Sequence, residues 1–326
     1  MKQYLKSIGI ALACFLFVIL LNFILPRMLP GDPVAYLSGF AEQDLTAAQI
    51  ERYRTALHLD EPVLSQFGHY LKSLLDGTLG YSFKKDAVVS ALIRERIGAT
   101  LQISLPAVVL STLIGLLWGL NAGYRKDGVF DRLSTAALIV LNAVPSFLIA
   151  LVLIILLCFQ NRWFPYTGLS GRGMSPGREG FLLDRFLHLV LPVVALTLSV
   201  LPSRYLLMRN TAAAAMDRKY ILYAKERGLS PRKIRWVYLL RNIAQPFVTM
   251  VGMSVSLCVG GSLIIENIFS INGMGKLLTD AVYSLDYPLM QGILFVTTAI
   301  MTLSIIVTDL ICLLIDPKVM RGERHG

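Results

Sequence analysis

The chain has few charged residues for its length. Asp, Glu, Lys and Arg make up 16% of its 326 residues, whereas hydrophobic residues make up 55% and the mean hydropathy is +0.62. Soluble domains carry about 25% charged residues. The composition therefore excludes an ordinary soluble protein and indicates an integral membrane protein.

Residues that bind metals or carry out catalysis are also scarce. The four cysteines fall in four different apolar segments without a C-x-x-C pair, and the four histidines are scattered without an H-E-x-x-H motif. They are Cys14, Cys158, Cys258, Cys312, His58, His69, His188 and His325. We therefore expect no disulfide, no metal site, no catalytic residue and no cofactor in this chain.

A nucleotide-binding loop is missing as well. The closest string to G-x-x-x-x-G-K-[ST] begins at Gly273, and it has Leu277 where the motif requires Ser or Thr. It also lacks the first glycine at the required spacing. The chain must therefore obtain any energy that its activity needs from elsewhere, or act passively.

Long apolar segments dominate what is present. About 20 apolar residues cross a bilayer as a helix, and six segments reach this length. They are 8–25, 101–123, 133–159, 187–208, 243–265 and 289–315. The pattern predicts an all-α membrane protein with six transmembrane helices.

Basic residues are unevenly distributed between the connecting segments. With the N-terminus inside, segments 1–6, 124–132, 209–241 and 316–326 hold 17 Lys and Arg, against five in the two short outer loops. This bias predicts that both termini are cytoplasmic. The net charge of +10 is therefore a topology signal, and no nucleic-acid partner is expected.

The spans divide the chain into four regions. We expect a retained first transmembrane helix at 1–28, rather than a cleaved signal peptide, and an extracytoplasmic region at 29–100. That region contains helix-like stretches near 47–57 and 62–75. A five-helix core is predicted at 101–315, followed by a cytoplasmic tail at 316–326.

The basic segment 209–241 has the pattern of two helices joined at a corner. The first helix ends at Gly228, because glycine readily takes the left-handed conformation that closes a helix. Ser230 is a suitable N-cap for the second, and Pro231 is tolerated in its first turn. The segment predicts a basic elbow between spans, shaped to be bound by a soluble partner.

This elbow resembles the EAA loop of the membrane subunits of ABC importers. Ala224 and Gly228 match the core of the loop, although Leu222 and Tyr223 replace its first two positions. The surrounding residues resemble the dipeptide, oligopeptide and nickel branch: Arg209, Tyr220, Lys225, Leu229, Ser230, Arg241, Asn242 and Pro246.

Short motifs elsewhere resemble the same family, in the same order. They are Pro30-Gly-Asp-Pro33, Gly77-x-Leu-Gly-x-Ser82, Glu266-x-x-Phe-x-x-x-Gly273-x-Gly275, Asp286-Tyr-Pro288 and Asp316-Pro-Lys318, the last with lysine in place of the family's arginine. The resemblance covers nearly the whole chain. Its ordered combination is more specific than any one motif.

The resemblance implies the type I ABC importer permease fold in a prokaryotic cytoplasmic membrane. The implied partners are a second homologous permease, two cytoplasmic ATPase subunits that bind ATP and Mg, and an extracytoplasmic substrate-binding protein. The implied ATPase-coupling residues are Tyr220, Ala224, Lys225, Gly228, Leu229 and Ser230. Peptides are the modal substrate of this branch, and nickel or a nickel chelate is the alternative.

Candidates for the translocation path or gate are less sharply defined. They are Asn142, Ser146, Ser254, Ser256, Glu266, Gly273 and Gly275. Small residues from Gly252 to Ser262 indicate either close helix packing or a face that lines the passage. Pro145 is expected to kink the third span.

Asp309 is the one carboxylate well inside a predicted span. Because a charge in the bilayer needs a partner, we expect a structural ion pair with Arg204. The other interpretation makes Asp309 the coupling site of an ion-driven carrier, although no internal repeat of the kind such carriers show is visible. A channel or scaffold without a transport cycle is a third possibility.

Overall fold

The computed structural model describes residues 2–28, 34, 46–260 and 263–315. Helices dominate it, with one short antiparallel hairpin of β1 (Tyr81–Ser82) and β2 (Ala87–Val88). The helices are α1 (Lys2–Met28), α2 (Ala47–Ala56), α3 (Val63–Leu75), α4 (Val89–Tyr124), α5 (Val129–Asn142), α6 (Ser146–Ile154), α7 (Phe181–Met216), α8 (Lys219–Glu226), α9 (Pro231–Lys233), α10 (Leu240–Gly260), α11 (Leu263–Ile268), α12 (Met274–Tyr283) and α13 (Tyr287–Ile315). The Pro30–Pro33 and Asp316–Lys318 motifs lie outside the described residues.

Four of the described helices are long and apolar enough to cross a membrane: α1 from Ile8 onward, α4, α7 and α13. Helix α5, together with α6 and the π-helical stretch Ile155–Gln160 that continues it, passes the same test as one bent unit. The predicted fifth span corresponds to α10, whose apolar part is Ile243–Val255. The all-α membrane architecture is therefore confirmed, and the count of six spans remains a prediction.

The third predicted span is broken instead of kinked. Helix α5 ends at Asn142, Pro145 precedes the first residue of α6, and the two helices meet at 97°. Proline lacks an N–H and disfavours helical backbone at the residue before it. The expectation of a continuous kinked helix was wrong, because Pro145 separates two helices. Pro192 and Pro202, by contrast, lie inside the continuous α7.

Helices α4 and α7 form the central packed pair. Gly115, Gly119 and Gly123 lie one above another on α4, where the backbone of α7 approaches closely. A Cβ atom at Gly119 would lie 2.7 Å from the Met208 Cβ, and one at Gly123 would lie 2.6 Å from the Ala212 Cβ. Glycines at this spacing allow two membrane helices to pack backbone to backbone.

The predicted extracytoplasmic region contains the two helices expected near 47–57 and 62–75, as α2 and α3. Thr46 and Gln49 form a capping box at the start of α2. Helix α4 begins at Val89, so the boundary predicted at residue 101 falls inside a continuous helix. Local sequence signals predicted α2 and α3 correctly. Hydropathy predicted only the apolar part of the long helix α4.

Candidate functional site

Within the segment 209–241 predicted as the elbow, residues 209–216 continue α7 and residues 240–241 begin α10. The elbow between them, residues 217–239, has the helix–corner–helix form that its sequence predicts. Helix α8 ends before Gly228, which adopts φ +70°. The Ser230 hydroxyl accepts a hydrogen bond from the Lys233 N–H at 3.4 Å, and Pro231 occupies the first position of α9. A π-helical turn, Ile234–Leu239, then leads into α10.

A small core holds the two sides of the elbow together. Ile221, Ala224 and Ile234 are buried, and Tyr220 and Leu229 pack partly buried against them. Burial raises the pKa of Tyr220. Among the predicted coupling residues, Lys225, Gly228 and Ser230 are exposed. Ala224 is therefore small because it lies inside the elbow, whereas the exposed residues are available to a partner.

The elbow exposes four large apolar side chains beside its basic residues, and we call these four the outer face. They are Leu222, Tyr223, Trp236 and Val237, whose exposed fractions are 54%, 59%, 44% and 52%. Two adjacent pairs of exposed large apolar side chains indicate a contact surface. The two positions where the sequence departs from the EAA pattern, Leu222 and Tyr223, thus belong to this face. The motif comparison did not single out Trp236 or Val237.

Polar and aromatic contacts join the elbow region to the loop after α4. The Arg235 guanidinium lies 4.6 Å from the centre of the Tyr124 ring. At the start of α5, Asp131 accepts hydrogen bonds from Arg209 Nε at 2.8 Å and Nη2 at 2.5 Å. Asp131 is 1% exposed. This ion pair with a buried carboxylate was not predicted, since no local signal links residues 78 positions apart.

Arg204 is held by neutral groups. Its Nη1 donates to the Val108 carbonyl at 2.7 Å, and its Nη2 donates to Ser254 Oγ at 2.8 Å. Ser111 and Thr112 hydroxyls, both 2.5 Å from Nη1, complete the set. The ion pairs between described residues do not include the predicted pair of Arg204 and Asp309. The contacts of Arg204 that the structure describes are with hydroxyl and carbonyl groups of α4 and α10, and its pairing with Asp309 stays a prediction.

Arg204 and Ser254 also line a groove of about 720 Å³ between α7 and α10. The other lining residues are Val200, Ser203, Leu207, Gln245, Pro246, Thr249, Met250 and Met253. Apolar walls with a few hydroxyl, amide and guanidinium groups resemble a ligand-binding surface. Of the predicted path residues, Ser254 is the one that the described structure places in this groove.

Three other path candidates meet in a buried hydrogen-bonded cluster. The Glu266 carboxylate accepts hydrogen bonds from the Gly275 N–H at 2.8 Å, the Lys276 N–H at 3.1 Å and the Thr100 hydroxyl at 2.8 Å. The Met274 N–H donates to Thr100 Oγ1 at 2.7 Å. Burial raises the pKa of Glu266, and these donors only partly offset the shift. Glu266 and Thr100 thus cap the first turn of α12.

The glycines of this cluster are required by space. A Cβ at Gly273 would lie 2.5 Å from both Glu266 Oε2 and Thr100 Oγ1, and one at Gly275 would lie 2.7 Å from the Leu263 Cα. These contacts are too short for any other residue without a shift of the neighbours. The two glycines of the Glu266–Gly275 motif are therefore explained by the close packing of α11 on α12.

The remaining candidates lie apart from the cluster. Asn142 and Ser146 flank the bend between α5 and α6, and the side chain of Ser256 is outside the described set. Gly252 packs against α13, where a Cβ would overlap the Thr308 side chain. The small residues of α10 were predicted either to pack against another helix or to line the passage. For Gly252, helix packing is the interpretation that the structure supports.

Comparison with known proteins places the chain in one family. The sequence family described as the binding-protein-dependent transport system inner membrane component matches residues 111–321. A probable peptide ABC transporter permease of Sinorhizobium fredii is 30% identical over 91% of this chain and 92% of its own. A putative peptide transport system permease of Brucella abortus is 32% identical over 97% and 98%.

A more distant relative covers the chain as completely. The dipeptide transport system permease DppB of Lactococcus lactis is 28% identical over 98% of this chain and 99% of its own. The resemblance found in the short motifs thus extends over the whole length of each protein. This chain belongs to the family of binding-protein-dependent transport system inner membrane components, the permease subunits of ABC importers.

Proposed function

We propose that this chain is the membrane permease subunit of an ATP-driven peptide importer, and that its elbow transmits the motion of partner ATPases. Family membership and full-length similarity to proteins named as peptide permeases support the substrate class. The single observation that carries the coupling role is the exposed apolar outer face of the elbow.

The elbow has the properties that force transmission requires. Its inner core of Ile221, Ala224 and Ile234 makes it a packed unit, so a push on its surface moves the whole unit. Its π-helical turn continues directly into α10, which lines the groove. Because nucleotide binds the ATPases with different affinity in their open and closed states, closure supplies the free energy that the permease transmits.

The groove between α7 and α10 is proposed as one half of the translocation path. It is open along one side in the single chain, and a second homologous permease facing it would enclose a central passage. The Arg204 guanidinium and Ser254 hydroxyl offer polar contacts in an otherwise apolar lining. Glu266, Gly273 and Gly275 would then hold α11 against α12 rather than line the path.

Reconstitution of the complete transporter tests this proposal. The chain, a second permease, two ATPases and a binding protein are placed in proteoliposomes, and uptake of a radiolabelled dipeptide is measured with and without ATP. We expect uptake only with ATP and all subunits. Uptake that follows a proton or sodium gradient, or uptake by this chain alone, would overturn the proposal.

Variants of the outer face test the coupling role separately. We expect Leu222→Ser combined with Trp236→Ser to weaken ATPase binding and to reduce uptake at least about tenfold, since buried apolar anchors dominate interface energies. The control is Leu64→Ser in α3, where the side chain is 81% exposed. Equal effects of the elbow and control variants would contradict the assignment.

A further inference from the structure

Two histidines and a glutamate that are scattered in the sequence meet in the fold. The His58 Nδ1 atom lies 2.8 Å from Glu61 Oε1, and the His69 Nε2 atom lies 3.1 Å from Glu61 Oε2. The two imidazole rings are stacked, with centroids 3.9 Å apart and planes 2° from parallel. One ligand atom from each of the three residues lies within 4.8 Å of the other two.

We propose that His58, Glu61 and His69 form a binding site for a divalent transition-metal ion, with zinc as the reference ion. Two imidazole nitrogens and one carboxylate oxygen are a common protein ligand set for zinc and also suit copper and nickel. Three protein ligands leave a fourth position open to water or an exogenous ligand. The inference concerns binding alone, so it stands independently of the proposed transport function.

The geometry needs only a small rearrangement to hold an ion. Zinc binds nitrogen at about 2.0–2.1 Å, so ligand atoms in a tetrahedral site lie roughly 3.3 Å apart. The two histidine–glutamate contacts are already close to this spacing. Side-chain rotations can provide the change, because His58, Glu61 and His69 are 42%, 37% and 44% exposed.

The backbone that carries the site is held in place from several sides. Gln66 is buried and donates to the Glu61 carbonyl at 2.9 Å, while its own Oε1 accepts from Arg27 Nε at 3.0 Å. Ser65 Oγ donates to Glu61 Oε2 at 2.5 Å. Such outer contacts orient ligands in metal sites. His58 itself has φ +54° at the turn between α2 and α3.

The site opens into a cavity of about 460 Å³, which His58 and His69 line together with Arg27, Tyr70 and Asp76. The Tyr70 hydroxyl is buried and has no hydrogen-bond partner among the described residues. Burial raises the pKa of Tyr70 to about 12, so this hydroxyl remains a donor.

Zinc binding to the full chain tests the proposal. The chain is purified in detergent without a polyhistidine tag, dialysed against zinc chloride, and analysed for bound metal per chain. We expect one zinc ion per wild-type chain, and more than about 100-fold weaker binding after His69→Gln, Glu61→Gln or His58→Asn, since even loss of outer-shell contacts costs 10–100-fold. Asn is chosen at position 58 because it tolerates positive φ.

Matched controls remove the same residue types elsewhere. Glu51→Gln alters an exposed carboxylate of α2, and His325→Gln removes a histidine near the C-terminus. Both should bind zinc as the wild type does. Wild-type chain that binds no zinc at 100-fold molar excess would overturn the proposal. Zinc binding that persists when His69→Gln, Glu61→Gln and His58→Asn are combined in one chain would overturn it as well.

A measurement on the wild-type chain removes any dependence on the folding of variants. Diethyl pyrocarbonate modifies accessible histidines, and mass spectrometry locates the modified residues. Zinc should protect His58 and His69 and leave His325 unchanged. Protection of other histidines, or none at these two, would place the ion elsewhere or show that the cluster is only a hydrogen-bonded turn.

Discussion

The Glu266 carboxylate accepts a 2.8 Å hydrogen bond from the Gly275 N–H, across a turn that brings α11 onto the start of α12. The same carboxylate oxygen also accepts a hydrogen bond from the backbone N–H of Lys276. A side chain from α11 therefore supplies the acceptor that an N-cap residue usually supplies, and the order of the α11–α12 segment depends on it.

Substitution of Glu266 should destabilise this segment. Glu266→Gln replaces one acceptor oxygen by a donor and leaves a buried N–H or hydroxyl unpaired, which costs about 1–3 kcal/mol. We expect a lower Tm of the detergent-solubilised protein and faster hydrogen exchange in residues 263–283. Glu51→Gln, on the exposed surface of α2, should leave both unchanged. An unaltered exchange rate after Glu266→Gln would contradict the capping role.

The glycine ladder of α4 offers a test within a single helix. Gly119→Ala would place a Cβ 2.7 Å from the Met208 Cβ and 2.9 Å from the Arg209 backbone N. Overpacking of this kind costs about 1–3 kcal/mol, so the Tm should fall. Gly98→Ala is the control, because a Cβ there meets nothing within 4 Å, and it should be neutral or slightly stabilising. Similar Tm changes in the two variants would show that α4 and α7 are packed less closely than the distances at Gly119 indicate.

The Asp131–Arg209 pair should stabilise the fold more than the Lys126–Asp217 ion pair, which joins two turns near the elbow. Asp131→Asn leaves the Arg209 guanidinium, which is 20% exposed, without its buried carboxylate partner, and losing hydrogen bonds between charged groups costs about 1.5–3 kcal/mol. The double variant Asp131→Asn/Arg209→Gln should recover part of that loss in thermal unfolding. Asp217→Asn breaks the exposed, 3.7 Å contact with Lys126 and should cost less than about 1 kcal/mol. Equal losses in both pairs would contradict the difference in burial.

The corner of the elbow should tolerate asparagine better than alanine. At Gly228 a Cβ meets nothing within 4 Å, so its φ of +70° is the only obstacle to substitution. Alanine in this conformation costs roughly 1–2 kcal/mol, whereas asparagine visits it routinely. We expect Gly228→Ala to lower ATP-dependent uptake by the reconstituted transporter and Gly228→Asn to preserve most of it. Identical uptake by the two variants would show that coupling does not depend on the backbone conformation at Gly228.

Much of the elbow was predictable because its signals are local. Gly228 closes one helix, Ser230 caps the next and Pro231 fits its first turn, and each acts on neighbours within a few residues. Helices α2 and α3 were predicted for the same reason. Pro145 shows the limit, since its presence signals a disturbance but not whether the helix kinks or stops.

The amino-acid sequence by itself determined that this is a helical membrane protein, where most of its helices run, and which family motifs it carries, because hydropathy, caps and turn residues act over short distances. Only the tertiary structure decided which distant residues meet. Arg204 lies among hydroxyls, Arg209 pairs with Asp131, and His58 stacks on His69. Such contacts depend on how helices cross and rotate against one another, and side-chain packing over the whole chain sets that geometry.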